Sequence, residues 1–184
     1  MAILKIARMG HPILKRRAEE VADPTAPEIR RLVGHMLETM RDADGAGLAA
    51  PQVHVPLRVV IFHVPPARAG EDEESAARGL TVLVNPVIEP LTTETVLGLE
   101  GCLSVPGLRG MVPRATRIRY RGVTPEGEAV DRIAAGFHAR VVQHECDHLD
   151  GLLYPQRMTD LGLLMFNSEL KHWVEGAGPP AEEV

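Results

Sequence analysis

Only two cysteines, Cys102 and Cys146, occur in the 184 residues of this chain. No disulfide framework can hold it together, so either thiol is available as a ligand. Aromatic side chains are equally scarce, at 3%, and the core must therefore be aliphatic. No apolar run reaches the length of a membrane span, and charges break up the apolar residues of "MAILKIARMGHPIL" where a secretory leader would need an unbroken stretch. A long Lys/Arg cluster is also missing, and the formal net charge is -5. Phosphate binding needs concentrated positive charge, so a nucleic-acid surface is excluded. Together these absences predict a cytoplasmic protein with no membrane partner and no specific nucleic-acid partner.

What is present suits one domain. Hydrophobic residues at 45% and charged residues at 24% are ordinary for a globular chain of this length. We expect a single catalytic domain over residues 1–176, followed by a flexible acidic tail over 177–184. From Thr25, a capping-box pattern with Glu28 introduces apolar residues at helical spacing, which predicts an amphipathic helix ending near Gly45. "LRVVIFHV", Leu57 to Val64, reads as a buried strand, and residues 65–79 as an exposed, mobile loop. "LTVLVNPVIEP" and "TETVLGLEGCLSVPG" read as strands broken by prolines, and "TRIRYRGV" alternates with period two. A second helix is expected from Phe137 to Leu149, stopped by Gly151, and a third across "DLGLLMFNSELKHWV". The predicted class is α+β, with mixed or antiparallel sheets packed around a central helix.

That central helix carries "QHECDHLDG". Residues four apart share a helical face, so His144 and His148 can offer imidazole nitrogens to one divalent ion, with Glu145 beside them as a base. This is the HExxH arrangement; its bland alternative is a solvated polar face. Three residues compete to be the third protein ligand of a catalytic site. The metzincin pattern HExxHxxGxxH is followed as far as Gly151, but Tyr154 occupies the last histidine's place. Glu169 lies at a thermolysin-like separation, in a segment that reads equally well as an exposed helical face. Cys102 offers a soft thiolate next to Gly101, against the bland reading of a small buried apolar residue. Cys146 lies roughly 200° round the helix from the histidines and should face the core.

Three stretches taken together, "GAGLAAPQ", "EGCLSVP" and "QHECDHLDG", closely resemble the motifs of peptide deformylases. Similarity extends to "MGHPILKRRAEEV" and "NPVIEP". The resemblance implies a metal-dependent hydrolase that removes the formyl group from the N-terminal formyl-methionine of newly made polypeptides and releases formate. It implies Cys102, His144 and His148 as metal ligands, with Fe2+ as the native ion and Zn2+ or Ni2+ as substitutes. It further implies Glu145 as the catalytic base, and the Leu103 backbone N–H and Gln52 side chain as donors to the developing oxyanion.

"GAGLAAPQ" follows a helix rather than a strand and lacks the third glycine and the Walker lysine, so nucleotide binding is discarded. Its small residues, with Gly47 central, suit an edge along which substrate backbone lies as an added strand. Phe137 and Val141 share the histidines' helical face and can line a pocket for a methionine side chain. Arg140 stands where deformylases often carry an aliphatic residue, and Gly98 where a larger one is common, so the pocket's shape is left open. Arg109 matches a family position that helps hold the peptide. From Arg157 to Val184, five carboxylates face two basic residues, a net charge of -3. Any transient ribosome contact is therefore not expected through this tail. The alternatives are a zinc endopeptidase using His144, His148 and Glu169, and a catalytically silent, metal-stabilised binding protein.

Overall fold

The computed structural model describes residues 2–175. Helix α1 (Pro27–Asp42) leads into a short strand β1 (Gly47–Ala49), then β2 (Val59–Val64) and the long β3 (Arg78–Pro90). Strands β4 (Thr95–Cys102), β5 (Val105–Ala115), β6 (Arg117–Val123) and β7 (Ala129–Ala135) precede helix α2 (Gly136–Leu149). Strand β8 (Leu164–Phe166) and a short helix α3 (Leu170–Glu175) follow. The strands form a five-stranded sheet, β1-β2-β3-β6-β7, and a three-stranded sheet, β4-β5-β8. Every strand pairing within these sheets is antiparallel. The α+β class with a central helix is as the sequence predicts.

Strand β2 shows why the large sheet lies between two helices. Its residues alternate faces with period two: Val60 and Phe62 pack with Val142, Cys146 and Leu149 of α2. Val59 and Ile61 pack with Ile29, Leu32, Met36 and Met40 of α1. Each fully buried side chain of this size contributes about 1.5–3 kcal/mol, so both helices are clamped by one strand. A third cluster joins Val105 and Val112 of β5 to Leu153 and Tyr154 just after α2. The central helix thus touches both sheets. Gly151 stops the chain beyond it at φ +76°, and a Cβ there would lie 2.8 Å from the Lys15 backbone. No helix among the described residues is long and apolar enough to cross a membrane.

Three sequence expectations are corrected. The first helix is capped at Ala26 without a side-chain bond, because Thr25 spends its hydroxyl and N–H on Asp23, at 2.7 and 2.9 Å. The expected third helix is mostly otherwise: Leu164–Phe166 pairs with Leu108–Gly110 of β5, single 3-10 turns lie on either side at Leu161–Leu163 and Asn167–Glu169, and only Leu170–Glu175 is α-helical. Pairing to an available sheet edge outweighs helical periodicity there. The loop over residues 65–79 is anchored rather than loose. The Glu74 carbonyl accepts from Ala135 N–H at 3.1 Å and His138 Nδ1–H at 2.9 Å, and its carboxylate grips Arg117 at 2.6 and 2.7 Å. The tail over 177–184 lies outside the described residues.

Candidate metal centre

Cys102 ends β4 at a two-residue turn, Leu103–Ser104, before Val105 opens β5. The turn presents the thiol to α2, where His144 and His148 lie one helical turn apart. Ligand atoms of Cys102, His144 and His148 all fall within 4.8 Å of one another, and Cys102 Sγ is 3.4 Å from His148 Nε2. Among the described residues this is the one such cluster. His144 Nδ1–H donates to Glu100 Oε2 at 2.8 Å, which fixes the tautomer and leaves Nε2 for an ion. Burial would raise the Cys102 thiol, but His148 and His144 outweigh it and hold the thiol well below its ordinary range. A thiolate beside two imidazoles is a donor set that fits Zn2+, Fe2+ or Ni2+.

Glu145 is buried next to these ligands, and its Oε2 has no hydrogen-bond partner among the described residues. Burial pushes its carboxyl up to about 7, against the opposing pull of His144 and His148. A base poised there suits proton transfer near neutrality. Its carboxylate packs against Gly47 of β1, and any Cβ at that position would overlap it. Gly47→Ala should therefore displace Glu145 and lower turnover roughly 10²-fold, with little change in metal content. Turnover within about twofold of wild type would separate Glu145's placement from catalysis.

Gln52 is also buried, on the one-turn helix after β1. Its Oε1 accepts from Ala49 N–H at 2.8 Å, which turns Nε2 toward Cys102 Sγ at 3.5 Å and Ser104 Oγ at 3.1 Å. A cavity of about 400 Å³ joins the cysteine and His144 to Gly47, Gln52, Leu103, Arg109, Phe137 and Val141. The ten residues given ligand, catalytic or substrate-binding roles in the sequence thus lie in or beside one site. Cys146 faces the core with Phe62 and Tyr120. Glu169 is exposed, its carboxylate bonded to Ser168 Oγ, and stands outside the ligand cluster. Tyr154, in the place of a metzincin's third histidine, stacks on the His144 ring with centroids 6.3 Å apart.

A buried ion network around Glu100 was missed in the sequence. Arg114 grips Glu100 with two bonds, at 2.8 and 2.9 Å, and reaches Asp147 at 2.5 Å, while Arg157 holds the other oxygen of Asp147 at 2.7 Å. Arg140 adds a bond to Glu100 at 2.9 Å and to the carbonyls of Val112 and Val96, at 2.9 and 3.0 Å. Its guanidinium fills the space where any side chain at Gly98 would stand. The two departures noted in the sequence are therefore one exchange: a large residue on the helix replaces a large one on the strand. The place of Glu100 at the head of the motif "EGCLSVP" was the only available signal, because periodicity says nothing about which buried charges pair.

The family model for polypeptide deformylases matches residues 3–163. The chain belongs to the polypeptide deformylase family. Among curated deformylases, peptide deformylase 1 of Nitrosomonas europaea is 52% identical over 159 residues, covering 86% of this chain and 89% of the relative. Peptide deformylase 1 of Bordetella pertussis is 54% identical over 156 residues, covering 85% and 88%. Among solved deformylase structures, that from Ehrlichia chaffeensis superposes with a TM-score of 0.80 at 34% identity, covering 88% of this chain and 90% of that one. A class I type b deformylase from Acinetobacter baumannii, bound to Met-Ala-Ser, superposes with a TM-score of 0.78 at 38% identity, covering 85% and 99%.

Proposed function

We propose that this deformylase hydrolyses the formyl group of N-formyl-methionyl nascent polypeptides, with Glu145 as its proton carrier. The observation that carries this reading is the meeting at one cavity of Cys102, His144, His148 and a buried Glu145 whose Oε2 has no hydrogen-bond partner among the described residues. A divalent ion held by the thiolate and two imidazoles supplies Lewis acidity to the formyl group and its attacking water. Fe2+ is the native ion we assign, with Zn2+ or Ni2+ as substitutes, on the family resemblance and the softness of the donor set.

The remaining work belongs to the chain. Glu145 takes a proton from water as its oxygen bonds to the formyl carbon, then delivers that proton to the amine nitrogen as the C–N bond breaks. Formate and a free N-terminal methionine result. Gln52 Nε2, steered by the Ala49 N–H, and the Leu103 N–H at the turn after Cys102 donate to the oxyanion. Phe137 and Val141 receive the methionine side chain. Substrate backbone pairs with the open edge of β1, whose other edge is taken by β2. Arg109 steadies the chain beyond. The Met-Ala-Ser found on the Acinetobacter enzyme supports a methionyl peptide as the occupant. Formylated chains are made in the cytoplasm, which is the location assigned, and any ribosome contact is assigned to surfaces other than residues 177–184.

Protein purified without oxygen should contain close to one iron per chain and release formate from formyl-Met-Ala-Ala. Cleavage of an internal peptide bond without formate would overturn the reading in favour of a peptidase. Zinc or nickel without iron in protein purified this way would overturn the choice of ion alone.

A further inference from the structure

We propose that Arg68 and Arg109 form a carboxylate-reading rim on the cavity, favouring formyl-methionyl peptides whose third residue is acidic. The proposal rests on the deformylation reading and adds a preference to it.

Arg68 sits on the one-turn helix Pro66–Arg68 of the anchored loop, with its guanidinium 4.4 Å above the centroid of the Phe137 ring. It lines the same cavity as the metal ligands. The Glu74 bonds to α2 and Arg117 hold the loop in place, so this cation is set at the pocket mouth rather than swinging in solvent. Arg109 stands in register with Gly101, its side chain crossing the face that glycine leaves open, with Cγ 3.5 Å from where a Cβ would be.

The cavity's third arginine, Arg140, is matched by Glu100. Neither Arg68 nor Arg109 forms an ion pair with a carboxylate among the described residues. The acidic run Glu71–Glu74 beside Arg68 does not supply one. Asp72 turns back to Ser75, and Glu74 is taken by Arg117. Burial, then the neighbouring Arg109 and Arg140, lower the pKa of Arg68. Like charges gathered without a counter-ion are a standing cost that a substrate carboxylate would relieve.

Extended peptides put alternate side chains on opposite sides, with about 6.6 Å between residues two apart. With the first side chain against Phe137 and Val141, the second points away and the third returns to the Phe137 side. That is the side on which Arg68 stands.

The test compares kcat/KM for four formyl peptides: Met-Ala-Glu-Ala, Met-Ala-Ala-Ala and Met-Ala-Lys-Ala as C-terminal amides, and Met-Ala-Ala as a free acid. Glutamate at position three should raise kcat/KM about fivefold over alanine, the scale of one partly exposed charge pair, and lysine should lower it. High salt should shrink the difference. Arg68→Gln should bring the glutamate-to-alanine ratio close to one, with Arg68→Lys retaining part of it. Taking the ratio within each variant cancels any general loss of activity.

Calorimetry with the deformylated peptides should show the same ordering in Kd. A wild-type ratio of one, or a ratio unchanged by Arg68→Gln, overturns the rim. A gain confined to the free acid overturns the side-chain assignment, because the rim would then read chain ends. Failure to deformylate the alanine peptide counts against the deformylation reading instead, and calorimetry still decides the rim.

Discussion

Replacing Glu145 with glutamine should lower formate release about 10²- to 10⁴-fold while leaving the metal content at the wild-type level. The amide keeps the size of the carboxylate and its packing over Gly47, but it cannot accept the proton that water must lose. Burial that raises the carboxyl to about 7 keeps the group basic enough to take the proton and acidic enough to return it. Cys102→Ser should behave differently, losing ion and activity together, because a neutral hydroxyl replaces the thiolate. Cys146→Ser, whose side chain faces Phe62 and Tyr120, should keep its metal. Metal analysis alongside formate release separates the three variants. Normal turnover in Glu145→Gln removes that residue from the mechanism, and metal lost from Cys146→Ser but kept by Cys102→Ser refutes the ligand assignment.

Glu100→Leu should destabilise the fold by about 3–5 kcal/mol, the cost of stranding buried charge. The carboxylate is 5% exposed and accepts from Arg114, Arg140 and His144 together. Without it, two guanidiniums remain buried and lose their bonds to this carboxylate, while Asp147 still accepts from Arg114 and backbone carbonyls still accept from Arg140. Removal of the same carboxylate frees the His144 ring, and metal affinity should fall about 10- to 100-fold. The exposed pair Arg119–Asp131 has bonds just as short, at 2.6 and 2.7 Å, and provides the control. Arg119→Ala should leave the unfolding midpoint close to that of the wild type, because solvent screens that pair. Urea unfolding of both variants, with and without added metal, gives the comparison. A shift below about 1 kcal/mol for Glu100→Leu would mean that the network relaxes or admits water.

Where the chain's physics is local, the sequence was legible. The i, i+4 histidines, the stop at Gly151 and the turn of Cys146 away from the metal site into the core follow from helical geometry, and alternation in β6 follows from the pleat. The ligand set needed more, since Cys102 lies 42 residues before His144 and only the family resemblance joined them. What escaped was decided by distant partners. Leu164–Phe166 became a strand because β5 offered an edge, and the loop over 65–79 was fixed by Glu74, whose carbonyl accepts from Ala135 and His138 at the start of α2 and whose carboxylate holds Arg117. Glu100, Asp147 and Arg114 could not be read as a network, because each alone is an ordinary surface-type residue.

Two of the three ligands stand on the helix packed against the large sheet, and the third ends a strand of the small one. An ion held between them is bound by the folded chain and not by the unfolded one, so its affinity becomes part of the folding equilibrium. The melting temperature should rise with free metal concentration, by an increment equivalent to about 2.7 kcal/mol at a hundred times Kd. Chelation should act first as a loosening of the small sheet from the helix, ahead of global unfolding. Metal supply would then set how long each molecule survives as well as how fast it works.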